Sequence, residues 1–206
     1  VDEVITNVEF SWNNTDKVVA KLSGSSPFWI VKREKLDSFL LDQAVNSGSD
    51  LLTNFNVVNI KKSSNIWQIT SLDGRHIEAK AVVIADGSQS PWPKTFNLGP
   101  KKQKFASTFS GRIQRKGNLR SETARFEFGI VNNGFAWAFP LKNEVSIGMG
   151  TFLDNKNSIP VNEILDSFLP DLGFDTSEII GQEKNLRVWN GHSTLNGDGI
   201  LLVGDA

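Results

Sequence analysis

The 206-residue chain carries 22 lysine and arginine residues against 23 aspartate and glutamate, so no overall charge steers it onto nucleic acid or an anionic membrane. It contains no cysteine, which excludes disulfides, thiolate metal sites and cysteine nucleophiles and ties any redox chemistry to a cofactor. The length suits one large domain or two small ones. No apolar run approaches the roughly 18 residues of a spanning helix, and "VDEVITNVEF" has no basic start followed by an apolar stretch. The expectation is a soluble, cytoplasmic protein, at most peripheral on a membrane.

In chain order, Val4 to Phe10 and Lys17 to Leu22 read as two strands around the turn "NNTD". "KREKLDSFLLDQAVNSG" predicts a helix with Leu36, Phe39, Leu40, Ala44 and Val45 on one face and Gly48 as its stop. "FNVVNI", "IWQIT" and "HIEAK", separated by "KSSN" and Asp73-Gly74, predict an antiparallel meander. The run Ala81 to Ala85, "AVVIA", fits a strand buried on both faces, as in a parallel layer.

From Gln103 to Met149 the apolar period is two, predicting an antiparallel sheet with an aromatic face. Phe105, Phe126, Phe128, Phe135, Trp137 and Phe139 are its candidates. A second helix is expected near "SIPVNEILDSFL", capped by Ser158, with Pro160 in its first turn and Pro170 at its end. "KNLRVW" and "GILLVG" supply the last strands. The mixture predicts α+β segments attached to part of an α/β layer.

Several chemistries find no support. Gly148-Met149-Gly150 follows a strand as a dinucleotide-binding turn would, but Leu153 stands at the third glycine position and "DNKNS" is turn-like. There is no phosphate loop ending in Gly-Lys-Ser/Thr and no Gly-x-Ser-x-Gly nucleophile elbow. His76 and His192 lie far apart in turn-rich stretches and read as surface residues, and clusters such as "PKKQKF" and "RIQRKGNLR" read as solvated loops.

Four features make sense jointly. Arg33 follows the apolar strand "FWIV" and opens a helix, where a guanidinium can meet a phosphate. Asp86-Gly87 follows the strand "AVVIA", and Gly204-Asp205 repeats that arrangement after "ILLV". Two strands each ending in glycine and aspartate suit ligand binding at the carboxyl ends of an α/β sheet. The fourth feature is "GFAWAFPLKNEVSIGMG", where aromatics alternate along a strand, a proline breaks it and a glycine pair ends the next.

The order of "VKREKLDSFLLDQAVNSG", "AVVIADGSQS", "GFAWAFPLKNEVSIGMG" and "GILLVGDA" resembles the geranylgeranyl reductase group of FAD-dependent oxidoreductases, which share the para-hydroxybenzoate hydroxylase fold. The family motif is Tyr-x-Trp-x-Phe-Pro, seven or eight residues, then Gly-x-Gly. Here it reads Phe135, Trp137, Phe139, Pro140, seven residues, Gly148 and Gly150; the leading tyrosine is replaced, and the chain has no tyrosine at all. A phenol that orients substrate or relays a proton is therefore excluded.

The resemblance implies part of a glutathione reductase-like FAD-binding layer plus an antiparallel substrate-domain sheet. Residues 1–26 and 100–190 would form the substrate side, and 27–99 and 191–206 the FAD side. It implies that Arg33 and Asp205 contact FAD, Asp205 through the ribityl hydroxyls, with Gly204 in the same turn, and that Asp86 and Gly87 lie near it. Phe135, Trp137, Phe139 and Pro140, with Gly148 and Gly150, would line an apolar cavity for a prenyl-chain or lipid substrate. NAD(P)H or another reductant is left open as the electron source.

Family members begin with a Gly-x-Gly-x-x-Gly turn that holds the FAD diphosphate and continue past Gly-Asp-Ala into a helix. Neither is found in this sequence, so an internal fragment without bound FAD is expected, its parent reducing isoprenoid double bonds. A flavin monooxygenase or halogenase of the same fold is the alternative.

Overall fold

The computed structural model describes residues 1–25, 28–115, 120–152, 160–189, 191 and 193–206. Ser158, Leu153, His192 and the "KGNL" part of the second basic cluster lie outside the described residues. The chain divides into two compact units, Val1–Phe39 with Lys104–Val188, and Leu40–Gln103 with Trp189–Ala206.

The first predicted strand is two. β1 (Glu3–Ile5) and β2 (Asn7–Trp12) part at Thr6, where the Thr6 and Asn7 N–H groups both donate to the Glu122 carbonyl, each at 3.0 Å. Asn13 and Asn14, at φ of 49° and 59°, turn the chain into β3 (Thr15–Lys21), a backbone region that asparagine tolerates. β4 (Phe28–Ile30) pairs antiparallel with β1, which draws residues 28–39 into the first unit rather than the FAD side expected from the resemblance.

α1 (Arg33–Asn46) forms as predicted and ends near Gly48 at φ 95°, but none of its residues is buried, so its apolar positions make no core within this chain. The meander follows as β5 (Val57–Ser63), β6 (Ile66–Ser71) and β7 (His76–Ala79). Next come β8 (Val82–Ile84) and the single turn α2 (Trp92–Thr95).

Four long strands then alternate as the sequence predicts: β9 (Lys104–Gln114), β10 (Thr123–Phe128), β11 (Gly134–Pro140) and β12 (Glu144–Thr151). β12 runs straight through Gly148 and Gly150, so those glycines make no dinucleotide turn. α3 (Val161–Phe168) starts after Pro160, which sits just outside the helix at φ −55° and ψ 141° rather than in its first turn. β13 (Ile180–Val188), β14 (Asn196–Gly197) and β15 (Ile200–Leu202) complete the order.

In the first unit seven strands form one sheet in the order β13-β9-β12-β11-β10-β2-β3. β10 and β2 are joined in parallel and the other neighbours are antiparallel. One face is covered by α3: Ile164, Leu165 and Phe168 pack onto Ala136, Ala138, Val145 and Ile147. Phe168, Ala136, Ala138, Val145 and Ile147 are fully buried there. The strand register puts Phe105 on this side as well, because it shares alternation with Phe109 and Ile113; it does not join the aromatic face that the sequence suggested for it.

In the second unit β15 pairs in parallel with β8, and β14 adds an antiparallel edge. Ile84, Ile200 and Leu202 point into a core shared with Ile60, Trp67 and Ile69 of the meander. Parallel pairing follows the sequence expectation, but burial on both faces does not. Val83 is 60% exposed because the meander covers only the side to which Ile84 points.

Candidate functional site

The face of the seven-stranded sheet opposite α3, covered at one end where Ile5 of β1 and Ile30 of β4 pack on Ala124, Phe126 and Phe139, is paved with rings. Side chains directly opposite one another across a strand pair share a face, so the register lines up Phe10, Phe126 and Trp137 on β2, β10 and β11. Ring centroids lie 5.7 Å apart for Phe10 and Phe126, 5.1 Å for Phe126 and Phe139, 5.7 Å for Phe126 and Phe135, and 6.0 Å for Phe135 and Trp137. These separations fall within the range of favourable aromatic contact. Phe28, from β4, closes one end edge-on against Phe139 at 6.0 Å. Phe10, Trp12 and Phe152, which the sequence reading left out, extend the floor and are 43%, 58% and 53% exposed. The period-two spacing of Val8, Phe10 and Trp12 was the signal for the first two.

The glycine pair has a steric reason. A methyl group at Gly148 would lie 2.1 Å from Cζ2 of Trp137 and 2.6 Å from the Phe109 carbonyl oxygen, so only glycine lets the indole lie down over β12. A methyl group at Gly150 would meet the Thr108 methyl at 3.3 Å, the Ser107 carbonyl oxygen at 3.9 Å and Trp137 at 4.0 Å, leaving a shallow trough beside the indole. Pro140 ends β11, buried, at the turn into β12.

Beneath this floor, on the α3 side, lies a charged cluster that sequence reasoning missed. Arg125 is 3% exposed and Glu127 fully buried. The Arg125 guanidinium donates from Nη2 to Glu127 at 2.8 Å and from Nε to Ser11 Oγ at 3.3 Å, pairs with Asp171, and lies 5.4 Å over the Phe168 ring. Burial works against its charge, but the bonds to Glu127 and Asp171 outweigh this and raise its pKa further. Asp171 shows the same contest: burial pushes its carboxyl up, while bonds from Lys17 and Arg125 win and hold it below the ordinary carboxylate value.

In the second unit the two aspartate turns come together. The Val203 N–H donates to the Ile84 carbonyl at 3.0 Å, so β8 and β15 stay paired to their carboxyl ends. Asp86-Gly87 and Gly204-Asp205 leave those ends side by side. Gly87 and Gly204 have φ of 88° and 65°, and no atom lies within 4 Å of where a Cβ would stand. Both carboxylates are exposed, and neither has a hydrogen-bond partner among the described residues. Two acceptor carboxylates flanked by bare glycine backbone fit the hydroxyls of a ribityl or ribose chain.

Arg33 stands at the first turn of α1 with its side chain 79% exposed, 3.1 Å from Asp37 one turn on. His76 is exposed, and no group of three or more potential metal ligands occurs among the described residues.

The fold is that of the FAD-dependent oxidoreductases, in the form shared by geranylgeranyl reductase-like proteins and flavin-dependent halogenases. A geranylgeranyl bacteriochlorophyll reductase-like structure from Thermoplasma acidophilum superimposes with a TM-score of 0.79 at 18% identity, covering 100% of this chain and 55% of that one. The halogenase PltM, solved with phloroglucinol and FAD, gives a TM-score of 0.67 at 15% identity over 98% of this chain and 47% of that one.

Among curated proteins, the chain is 26% identical over 162 residues to the digeranylgeranylglycerophospholipid reductase of Methanococcus vannielii, covering 76% of this chain and 40% of the relative. It is 27% identical over 194 residues to the chloroplastic geranylgeranyl diphosphate reductase of Nicotiana tabacum, covering 86% and 41%. The chain thus spans less than half the length of either curated relative. No family model matches it.

Proposed function

We propose that this chain supplies the substrate floor and part of the cofactor site of an FAD-dependent oxidoreductase that saturates isoprenoid double bonds. The observation that carries the reading is the aromatic floor of the first unit, with Trp137 lying over Gly148. FAD, when bound and reduced, supplies the hydride to one alkene carbon, while a proton completes the other and the carbon–carbon π bond is lost.

The residues of this chain then have distinct tasks. Asp86 and Asp205 would accept hydroxyl hydrogen bonds from FAD at the ends of β8 and β15, and Arg33 would exchange its weak helical partner Asp37 for a phosphate. Phe126, Phe135, Trp137 and Phe139 would hold the alkene on a surface without ionisable groups. Exclusion of water by those rings favours an apolar chain at about 25 cal/mol per Å² of buried area. Phe135 contributes area but no proton, since it lacks the phenol of the family motif.

The test uses the full-length, FAD-loaded protein, reduced anaerobically and mixed with a geranylgeranyl substrate. Flavin reoxidation accelerated by the lipid, with a saturated product, is expected. An unchanged reoxidation rate without saturated product overturns the reading. Oxygen consumption stimulated by an aromatic substrate would instead favour a monooxygenase or halogenase.

A further inference from the structure

The face that carries the aromatic floor is not uniform, and its transverse rows change character at one strand. Across the sheet, the register aligns Val18, Phe10, Phe126, Trp137, Gly148, Ser110 and Gln182 on β3, β2, β10, β11, β12, β9 and β13. The next row runs from Phe128 through Phe135 and Gly150 to Thr108 and Lys184. In the first row every side chain up to β11 is apolar apart from the Trp137 indole N–H, and the second row continues over Trp12 on β2 to Thr15 at the start of β3, whose hydroxyl is engaged with the Trp12 carbonyl at 2.8 Å. Beyond the two glycines of β12 the same rows present hydroxyl, amide and ammonium groups.

We propose that an amphiphile lies across the strands in one direction, its polar head over β9 and β13 and its apolar chain running over β11 and β10 toward β2 and β3. This rests on the isoprenoid reading above and adds an orientation to it. At about 4.8 Å between neighbouring strands, the four apolar strands give the chain roughly 14 Å of floor. Gly150 marks the boundary with a trough, since a side chain there would stand between Trp137 and Thr108.

The polar groups of the head side are available. Ser110, Gln182 and Lys184 are exposed, and Lys184 makes no ion pair among the described residues. The Thr108 hydroxyl is engaged with the Lys184 carbonyl at 3.0 Å, which ties the two outer strands together. At the opposite end Val18, 63% exposed, continues the apolar row to the sheet edge. A chain laid the other way would put its terminal methyls over an ammonium and leave its head on phenylalanine, losing water on both sides without recompense. The head chemistry that fits is a hydrogen-bond acceptor, either a hydroxyl or a phosphate.

The experiment uses the full-length protein and two C20 isoprenoid alcohols, one with a diazirine at the far end and one with it beside the head, followed by peptide mapping. Far-end labelling of β2 and β3 with head-side labelling of β9 and β13 is expected. The reverse pattern, or an even mixture, overturns the orientation but leaves isoprenoid reduction standing if the flavin assay is positive. No labelling above an irradiated control overturns both.

Two exposed-site variants sharpen the test. Val18→Glu is expected to weaken C20 binding about tenfold and leave C10 binding unchanged; equal loss for both lengths contradicts the assignment of that end. Lys184→Glu is expected to weaken geranylgeranyl phosphate about tenfold but not geranylgeraniol if the head is a phosphate, and neither if it is a hydroxyl. Loss of the alcohol alone contradicts the head-side assignment.

Discussion

The two faces of β10 and β11 invert the usual sorting of side chains. On the side covered by α3 stand Ala136, Ala138, Arg125 and Glu127, small or charged and all buried. On the open side stand Phe126, Phe135, Trp137 and Phe139, large, apolar and only half-buried. The covered face gains its stability from α3 and from a closed hydrogen-bond network, and alanines let the helix approach closely. On the open face Phe126, Phe135, Trp137 and Phe139 keep part of their aromatic area at the surface of this chain.

Substitutions on the two faces should therefore separate stability from binding. Phe168→Ala, at the centre of the covered face, removes a fully buried ring and should cost about 3–5 kcal/mol in denaturant unfolding. A loss below about 1.5 kcal/mol would mean that α3 is not what holds this face.

Gly148→Ala should follow at about 1–3 kcal/mol, because the added methyl meets a backbone carbonyl as well as the indole. The paired control is Gly150→Ala, with room for a methyl and an expected cost under about 1 kcal/mol. Equal effects would break the argument that Trp137 needs Gly148.

Asp171→Asn tests the charged cluster and should cost about 1–3 kcal/mol near neutral pH. The pH dependence has a definite sign. The folded carboxyl titrates below its ordinary value of 3.8, so its contribution is full above that value and is lost as pH falls through the lower, folded one. The gap between wild type and Asp171→Asn should thus be widest at neutral pH and close in acid. A gap that widens in acid would reverse the assignment.

A modest effect on stability is expected from Phe10→Ala on the open face, under about 1.5 kcal/mol given 43% exposure. Isoprenoid affinity, measured by titration on the full-length protein, should fall about fivefold, near 1 kcal/mol. A variant that unfolds but still binds would contradict the division of labour between the faces.

Much of this was legible in the sequence where the signal is local. Asn13 and Asn14, Asp73-Gly74 and Gly48 marked turns and a helix end through backbone preferences that operate over a few residues. Alternation in "ARFEF" and "FAWAF" separated aromatic from small or charged positions correctly. It did not say which set is covered, because period two is the same whichever face a helix lands on. The same limit explains Phe105, and also Val83, whose run is apolar throughout while only one side of β8 is packed.

The sequence by itself determined the strands, the turns, the spacing of Phe135, Trp137 and Phe139 against Gly148 and Gly150, and the pair of aspartate turns. Tertiary structure alone decided the parallel pairing of β2 with β10 and which distant strand, β15, the parallel strand β8 takes as its partner, each more than a hundred residues away. It also decided the burial of Arg125 and Glu127. The reason is physical: turns and alternation follow from each residue's own torsions and neighbours, whereas partner choice and desolvation depend on segments that meet only once the chain has closed.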